Sequence, residues 1–236
     1  MKPLVSVIIP TLNEEKYIKK TLLALKHQDY AGKFEIIVVD SHSKDKTVKI
    51  AEKFSDKVIQ TDRRGVGRAR NEGAKAATGK LLIFLDGDTI VLPNLLSEFV
   101  KSFEKKKVIA VTCPTFPIEA SPKNILFYAV YNINIALTLK TKRPHIAGIC
   151  VGYRGDAFFK LGGFDEHTHA LEDFILSEKI PRLGTGTFNP HTAVFTSTRR
   201  LQRWGALKSV KNYFKFYIQY MLNGKRFGRS EYRPIR

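Results

Sequence analysis

With 236 residues, 43% hydrophobic and 26% charged, the sequence has ample material for the core of one large domain or two small ones. Forty Lys and Arg against 22 Asp and Glu leave a net charge of +18, which calls for an anionic partner: nucleic acid, a membrane surface or a phosphorylated substrate. Cys113 and Cys150 lack metal-ligand spacing and make no disulfide framework, which suits a reduced cytoplasmic setting, and no uninterrupted apolar run reaches the length of a membrane span.

The first apolar run, LVSVIIP (4–10), is rich in Val and Ile and reads as a buried strand; it is too short for a signal segment and polar residues follow at once. Ile18, Leu22 and Leu25 recur at i, i+4 and i+7 and predict a helix over 14–28, with Thr11 and Glu14 three apart as a capping box. FEIIVVD (34–40) is a second strand, followed by a helix over 44–54, a short strand over 57–60 and a helix over 68–77. LLIFLD (81–86) is again a strand, then come a helix over 93–105 and a strand over 108–113. Strand and helix in repeated order predict an α/β fold with a mostly parallel central sheet and helices on both faces. The second half is less regular, and its longest apolar stretch, Ile125 to Leu139, is broken by Asn132 and Asn134. No repeat, low-complexity segment or linker divides the chain, so the expectation is one domain over 1–204 with an extension over 205–236.

Ligands of such sheets sit beyond the carboxyl ends of the strands. Pro10, Thr11 and the loop to Asn13 and Glu14 lie at one such end, Asp40 at a second, and Asp86-Gly87-Asp88 at a third. Two carboxylates this close repel; a divalent cation or an exposed Asp-Gly turn would each reconcile them, and hard oxygen ligands suit Mg2+ or Mn2+. RRGVGRARNEG (63–73) sets glycines and four arginines before a helix, which suits a phosphate cradle or a solvated basic loop. It lacks the third glycine of a dinucleotide fingerprint. Glu172-Asp173 is a second acidic pair opening an apparently helical LEDFILSEKI; a carboxylate there can take a hydroxyl proton, or simply favour the helix N-terminus. His145, His167, His169 and His191 read as loop histidines.

The order of these motifs resembles glycosyltransferase family 2, whose members share the nucleotide-sugar-binding GT-A fold. The matching segments are PTLNEE (10–15), VVDSHSKDKT (38–47), the Gly-Arg loop ending in ARNEG, LDGDT (85–89), GGFDE (162–166) and LEDFIL (171–176), and the resemblance covers 4–204. It implies a metal-dependent, inverting glycosyltransferase that moves a sugar from a UDP- or GDP-linked donor to an acceptor hydroxyl of a glycan or lipid-linked glycan. By the same resemblance Pro10, Thr11, Asn13, Glu14 and Asp40 line the nucleoside, while Arg68 and Asn71 face the diphosphate. Asp88, with Asp86 nearby, would hold Mg2+ or Mn2+, and Asp86, Gly87 and Asp88 would bind the nucleotide sugar; Asp173 would be the general base, with Glu172 on the acceptor side. RLQRW (200–204) resembles the Q/RxxRW element of members that handle polysaccharides, which would put Arg203 at the diphosphate and Trp204 against an acceptor sugar. The sequence shows no transmembrane bundle of the processive synthases, so processivity is not implied.

From Arg199 to Arg236 eleven Lys or Arg face one acid, Glu231, so ten of the eighteen net charges lie here. Within it Leu207, Val210, Phe214, Tyr217, Ile218 and Met221 share one face of a helix and Lys208, Lys211, Lys215 and Gln219 another, with Gly224 as the stop. Such a helix can lie on an anionic membrane surface at the cytoplasmic face, or pack on the catalytic domain. Three rivals stand on sequence alone, of which a nucleotidyltransferase would leave the Glu-Asp pair and RLQRW without a role. A polyprenyl-phosphate sugar synthase has an acceptor that is already ionised and needs no base, so the Glu-Asp pair favours a hydroxyl acceptor. A nucleic-acid-binding module would leave the acids at the strand ends without a role.

Overall fold

Alternating apolar residues build the sheet from both sides. In β1 (Val5–Thr11), Val5, Val7 and Ile9 enter one core while Ile8 enters another, because successive strand side chains point to opposite faces. The same division runs through β2 (Phe34–Asp40) and β4 (Leu81–Leu85), where Ile36, Val38, Ile83 and Leu85 face one way and Ile37, Val39, Leu82 and Phe84 the other. These facts come from a computed structural model, which describes residues 2–62, 65–224 and 226–228. With β3 (Lys57–Gln60), β6 (Val108–Thr112), β8 (Cys150–Arg154) and β9 (Thr185–Phe188), the sheet has the order β3-β2-β1-β4-β8-β6-β9. It is parallel from β3 to β4, and β6 is parallel to β9. β8 runs antiparallel to both β4 and β6, so the sheet is mixed beyond β4. Gly152 explains why this strand escaped the apolar pattern: a Cβ there would come within 3.0 Å of the Phe99 ring.

One face of the sheet is covered by α1 (Ile18–Lys26), α2 (Thr47–Ala51) and α4 (Leu95–Phe103), through Ile18, Leu22, Leu25, Leu95, Phe99 and Phe103. The other face is covered by α3 (Val66–Ala76), α6 (Gly155–Lys160) and α7 (Glu172–Ser177), through Ala69, Ala74, Phe158 and Leu176. The expected capping box does not form. α1 begins at Ile18 behind Tyr17; the Thr11 hydroxyl instead donates to Asp40 Oδ1 (2.9 Å), and the Glu14 carboxylate accepts from a distant arginine. Both side chains are held by longer-range partners in the strand-end region.

A three-stranded sheet, β5 (Thr89–Val91), β10 (Val194–Thr196) and β7 (Thr115–Pro117), sits past the carboxyl end of β4. It draws residues 196–198 alongside Asp88: the Ser197 N–H donates to the Asp88 carbonyl at 3.3 Å. After β7 comes α5 (Pro122–Thr138), capped by Ser121, whose hydroxyl accepts from the Asn124 N–H. α8 (Arg199–Trp204) and α9 (Ala206–Asn223) end the described chain, and Gly224 closes α9 with φ 60°. The tail is not detached. Phe216 and Phe227 pack with Ala170, Leu171 and Phe174, and Tyr217, Tyr220 and Met221 join them. Of the expected apolar stripe, Tyr217 and Met221 are therefore inward, Phe214 and Ile218 are exposed, and the side chains of Leu207 and Val210 lie outside the described residues. Lys225, Arg229, Arg233 and Arg236 lie outside them as well. Among the described residues no helix is long and apolar enough to cross a membrane.

Candidate active site

Three strand ends and two later segments converge. Beyond β1, Asn13 adopts a left-handed conformation (φ 55°), donates its N–H to Ser43 Oγ and accepts from the Lys44 N–H. It thereby ties the loop after β1 to the loop after β2. Asp40 ends β2 fully buried, with Thr11 Oγ1 and Ser43 Oγ on Oδ1 and the Ser43 N–H on Oδ2. Both carboxylate oxygens of Asp40 are thus already hydrogen-bonded within the protein. Gly87 packs its backbone against Thr11 and Glu14, its carbonyl accepting from Thr21 Oγ1 at 3.0 Å.

Two guanidinium groups organise the acids. Arg70 lies on the buried face of α3 and donates to Glu172 Oε1 (3.0 Å), Asp86 Oδ1 (2.9 Å) and the Gly148 carbonyl (2.9 Å), with its plane 5.1 Å from the Phe164 ring centre. A Cβ at Gly148 would fall 2.5 Å from the Arg70 guanidinium and push it off its partners. The Gly148 N–H donates to Asp173 Oδ2 at 2.7 Å, and the Phe174 N–H donates to Asp173 Oδ1 at 2.8 Å. One arginine and one glycine thus link Asp86 to both members of the Glu172-Asp173 pair. The residue before that pair, Leu171, has φ 63°, a strained conformation for a leucine.

Arg199, the first residue of α8, makes the second set. Its fork donates to both Glu14 oxygens at 2.7 Å and to Asp88 Oδ2 at 2.9 Å, and it stacks 5.3 Å from the Tyr17 ring centre. Burial pushes the Asp88 carboxyl up to about 7, with the charges of Asp86 and Glu14 adding to the rise and Arg199 opposing it. Burial and the neighbouring Asp173 likewise push Glu172 up to about 7 against the pull of Arg70. His145 packs edge-on to Phe174 (5.1 Å), and its burial depresses its basicity.

Among the described residues no three His, Cys, Asp or Glu side chains gather as a metal cage. Asp88 nonetheless already carries a cation, the Arg199 guanidinium, with Asp86 nearby. One or two carboxylates suit an ion that takes its other oxygens from water and phosphate, as Mg2+ and Mn2+ do. The donor set fits such an ion.

The structure therefore brings together Pro10, Thr11, Glu14, Asp86, Gly87, Asp88, Glu172 and Asp173. Arg68 and Asn71 instead hold the GGFDE loop: Asn71 Nδ2 donates to the Phe164 carbonyl and Glu166 Oε1, and Arg68 Nε donates to the Glu166 carbonyl. Arg203 is exposed on α8, the Trp204 side chain lies outside the described residues, and Arg63 and Arg64 lie outside them too. Sequence reasoning missed Arg70, Arg199 and Gly148. The available signal for Arg70 was its spacing with Ala69, Gly73 and Ala74, which puts an arginine on the buried stripe of a helix.

A family model described as glycosyl transferase family 2 matches residues 6–162. TarS of Staphylococcus aureus, a poly(ribitol-phosphate) beta-N-acetylglucosaminyltransferase, is 38% identical over 100 residues, 39% of this chain and 18% of TarS. The uncharacterized glycosyltransferase RT0329 of Rickettsia typhi is 28% identical over 222 residues, 89% of this chain and 69% of the relative. The chain spans well under half the length of some of these relatives, 18% of TarS and 31% of AglE from Haloferax volcanii. Among solved structures, the mannosyltransferase PcManGT of Pyrobaculum calidifontis, in complex with GDP-Man and Mn2+, aligns with a TM-score of 0.76 at 25% identity, over 96% of this chain and 66% of its own. S. aureus TarS 1-349 in complex with UDP-GlcNAc aligns with a TM-score of 0.67 at 23% identity, over 84% of this chain and 59% of its own, a likeness of fold.

Proposed function

The chain belongs to glycosyltransferase family 2, and on that premise we propose that it transfers a sugar, with inversion, from a UDP- or GDP-linked donor to a hydroxyl of a glycan or lipid-linked glycan at a membrane face. The observation that supports this reading best is the Arg70–Gly148 link, which joins the Asp86-Gly87-Asp88 turn to Asp173. The donor diphosphate would lie over that turn, with Asp40 and the loop from Pro10 to Glu14 toward the nucleoside and Arg203 approaching from α8. A bound Mg2+ or Mn2+ would supply charge neutralisation on the departing diphosphate. Asp173 would take the acceptor hydroxyl proton as that oxygen bonds to the anomeric carbon. The bond to the diphosphate oxygen breaks with its electron pair, and the nucleoside diphosphate leaves. The two backbone N–H groups on Asp173 orient it for that task.

Asp173→Asn tests the assignment. With UDP- and GDP-sugars and Mn2+, the variant should keep the donor-induced rise in melting temperature while turnover falls by about two to four orders of magnitude. Turnover near that of the wild type would remove Asp173 from the role of base and point to an acceptor that is already ionised.

A further inference from the structure

α5 is apolar nearly all round, yet only Tyr128 and Ile135 of its 17 residues are buried. Ile125 (53%), Leu126 (66%), Val130 (60%), Ile133 (59%) and Leu137 (60%) face outward. Leu126, Val130, Ile133 and Leu137 fall at i, i+4, i+7 and i+11, a single stripe. Helices of this composition are normally covered, and a continuous exposed apolar face marks an interaction surface. The carboxyl end of α5 meets α9: the Arg143 guanidinium lies 3.2 Å from Met221 Sδ and 3.8 Å from the Glu178 carboxylate. α9 exposes its own apolar row, Phe214 (64%), Ile218 (38%) and Leu222 (76%).

We propose that the outer faces of α5 and α9 seat the protein on an anionic lipid surface. The charge around them decides the occupant. Residues 120–147 contain Lys123, Lys140, Lys142 and Arg143 and no acid, and residues 199–230 contain none either. An apolar stripe whose flanking segments carry cations and no acid complements anionic headgroups, whereas a second copy of the chain would set like charges against each other. At 17 residues α5 is about 25 Å long, too short to cross a bilayer comfortably and long enough to lie along one. The chain leaving α5 passes His145, packed on Phe174, and reaches Gly148, which holds Asp173. The lipid-facing helix is thereby tied to the acceptor side of the cleft. The inference deepens the lipid-linked acceptor reading, yet its deciding readouts, vesicle binding and lipid quenching, need neither donor nor acceptor, so either can fail alone.

The test is sedimentation of the full chain with vesicles of mixed phosphatidylcholine and phosphatidylglycerol, beside pure phosphatidylcholine. Binding should need phosphatidylglycerol and weaken with salt. Leu126→Gln combined with Val130→Gln should keep the circular dichroism spectrum and the nucleotide-induced thermal shift while partitioning falls at least about tenfold. Independently, Val130→Trp in a Trp204→Phe background should show blue-shifted emission that brominated lipid quenches. The proposal is overturned by absence of binding at low salt, by unchanged partitioning of the glutamine variant, or by a tryptophan at 130 that brominated lipid leaves unquenched. Light scattering that shows a dimer dissolved by the glutamine substitutions would overturn it too, in favour of a second copy.

Discussion

Arg199 and Arg70 each set one guanidinium between carboxylates that would otherwise repel across the cleft. For Arg199 this has a consequence that can be measured. Arg199→Ala withdraws the guanidinium from the buried Asp88 and Glu14, and breaking a buried ion pair from one side costs about 3–5 kcal/mol. The melting temperature should drop accordingly. If Asp88 is the seat of a divalent ion, Mn2+ should recover part of that loss, and the Mn2+-induced shift should be larger in the variant than in the wild type. An equal or smaller shift would mean that the ion and the guanidinium do not share Asp88. The same pair shows how far a site can be read from its residues. Asp88 and Asp173 could be proposed from the sequence because carboxylates at a strand end and at a helix start stand out locally. Arg199 could not, because its partner Glu14 lies 185 residues earlier and only the fold brings them together. The hold of Asn71 on the GGFDE loop was illegible for the same reason, because Phe164 lies 93 residues further on.

At the scale of elements, α7 carries Asp173 and α9 supports α7 from behind. Phe216 on α9 is buried, with its ring centre 4.6 Å from that of Phe227, in the cluster that holds Leu171 and Phe174. Phe216→Ala should therefore cost about 3 kcal/mol through the cavity it leaves. Turnover should fall more than donor affinity, because the cavity lies behind the strained Leu171 turn and away from the strand-end loops. A variant whose donor affinity collapses together with turnover would place α9 against the donor instead. Packing of this kind also explains which elements could be read in advance. β1, β2 and β4 alternate or run continuously apolar because each is buried on both faces, and α1 and α4 show a clear stripe because one face alone meets the sheet. β8 was illegible since Gly152 gives way to Phe99, and its place between β4 and β6 is set by pairing across the whole chain. α5 defeated the periodicity argument differently, having no polar face to define a stripe.

For the molecule as a whole, the acids of the cleft set a dependence of stability on pH that runs against the usual acid lability of proteins. Glu172 and Asp88 both sit at about 7, each raised chiefly by burial, whereas in the unfolded chain they titrate in the ordinary carboxylate range. The native state therefore binds more protons than the unfolded state between roughly pH 4 and 7, and stability grows as pH falls through 7. Lowering the pH from 8 to 6.5 should add about 1 kcal/mol for each group. His145 works the other way: its burial holds it neutral, so below its unfolded value of about 6.5 it withdraws stability as the unfolded chain takes up its proton. Added positive charge on a chain already at +18 acts in the same direction. The melting temperature of the metal-free protein should thus rise from pH 8 to about 6.5 and go on rising more gently toward pH 5, since His145 offsets at most about half of what the two carboxyls add. Glu172→Gln should flatten the rising limb by roughly half, since it removes one of the two raised carboxyls while an amide can still accept from Arg70. A wild-type profile that is flat or rising with pH over this range, or a Glu172→Gln profile with the full wild-type slope, would show that the cleft does not hold these two carboxyls in the strained, proton-hungry state that their burial imposes.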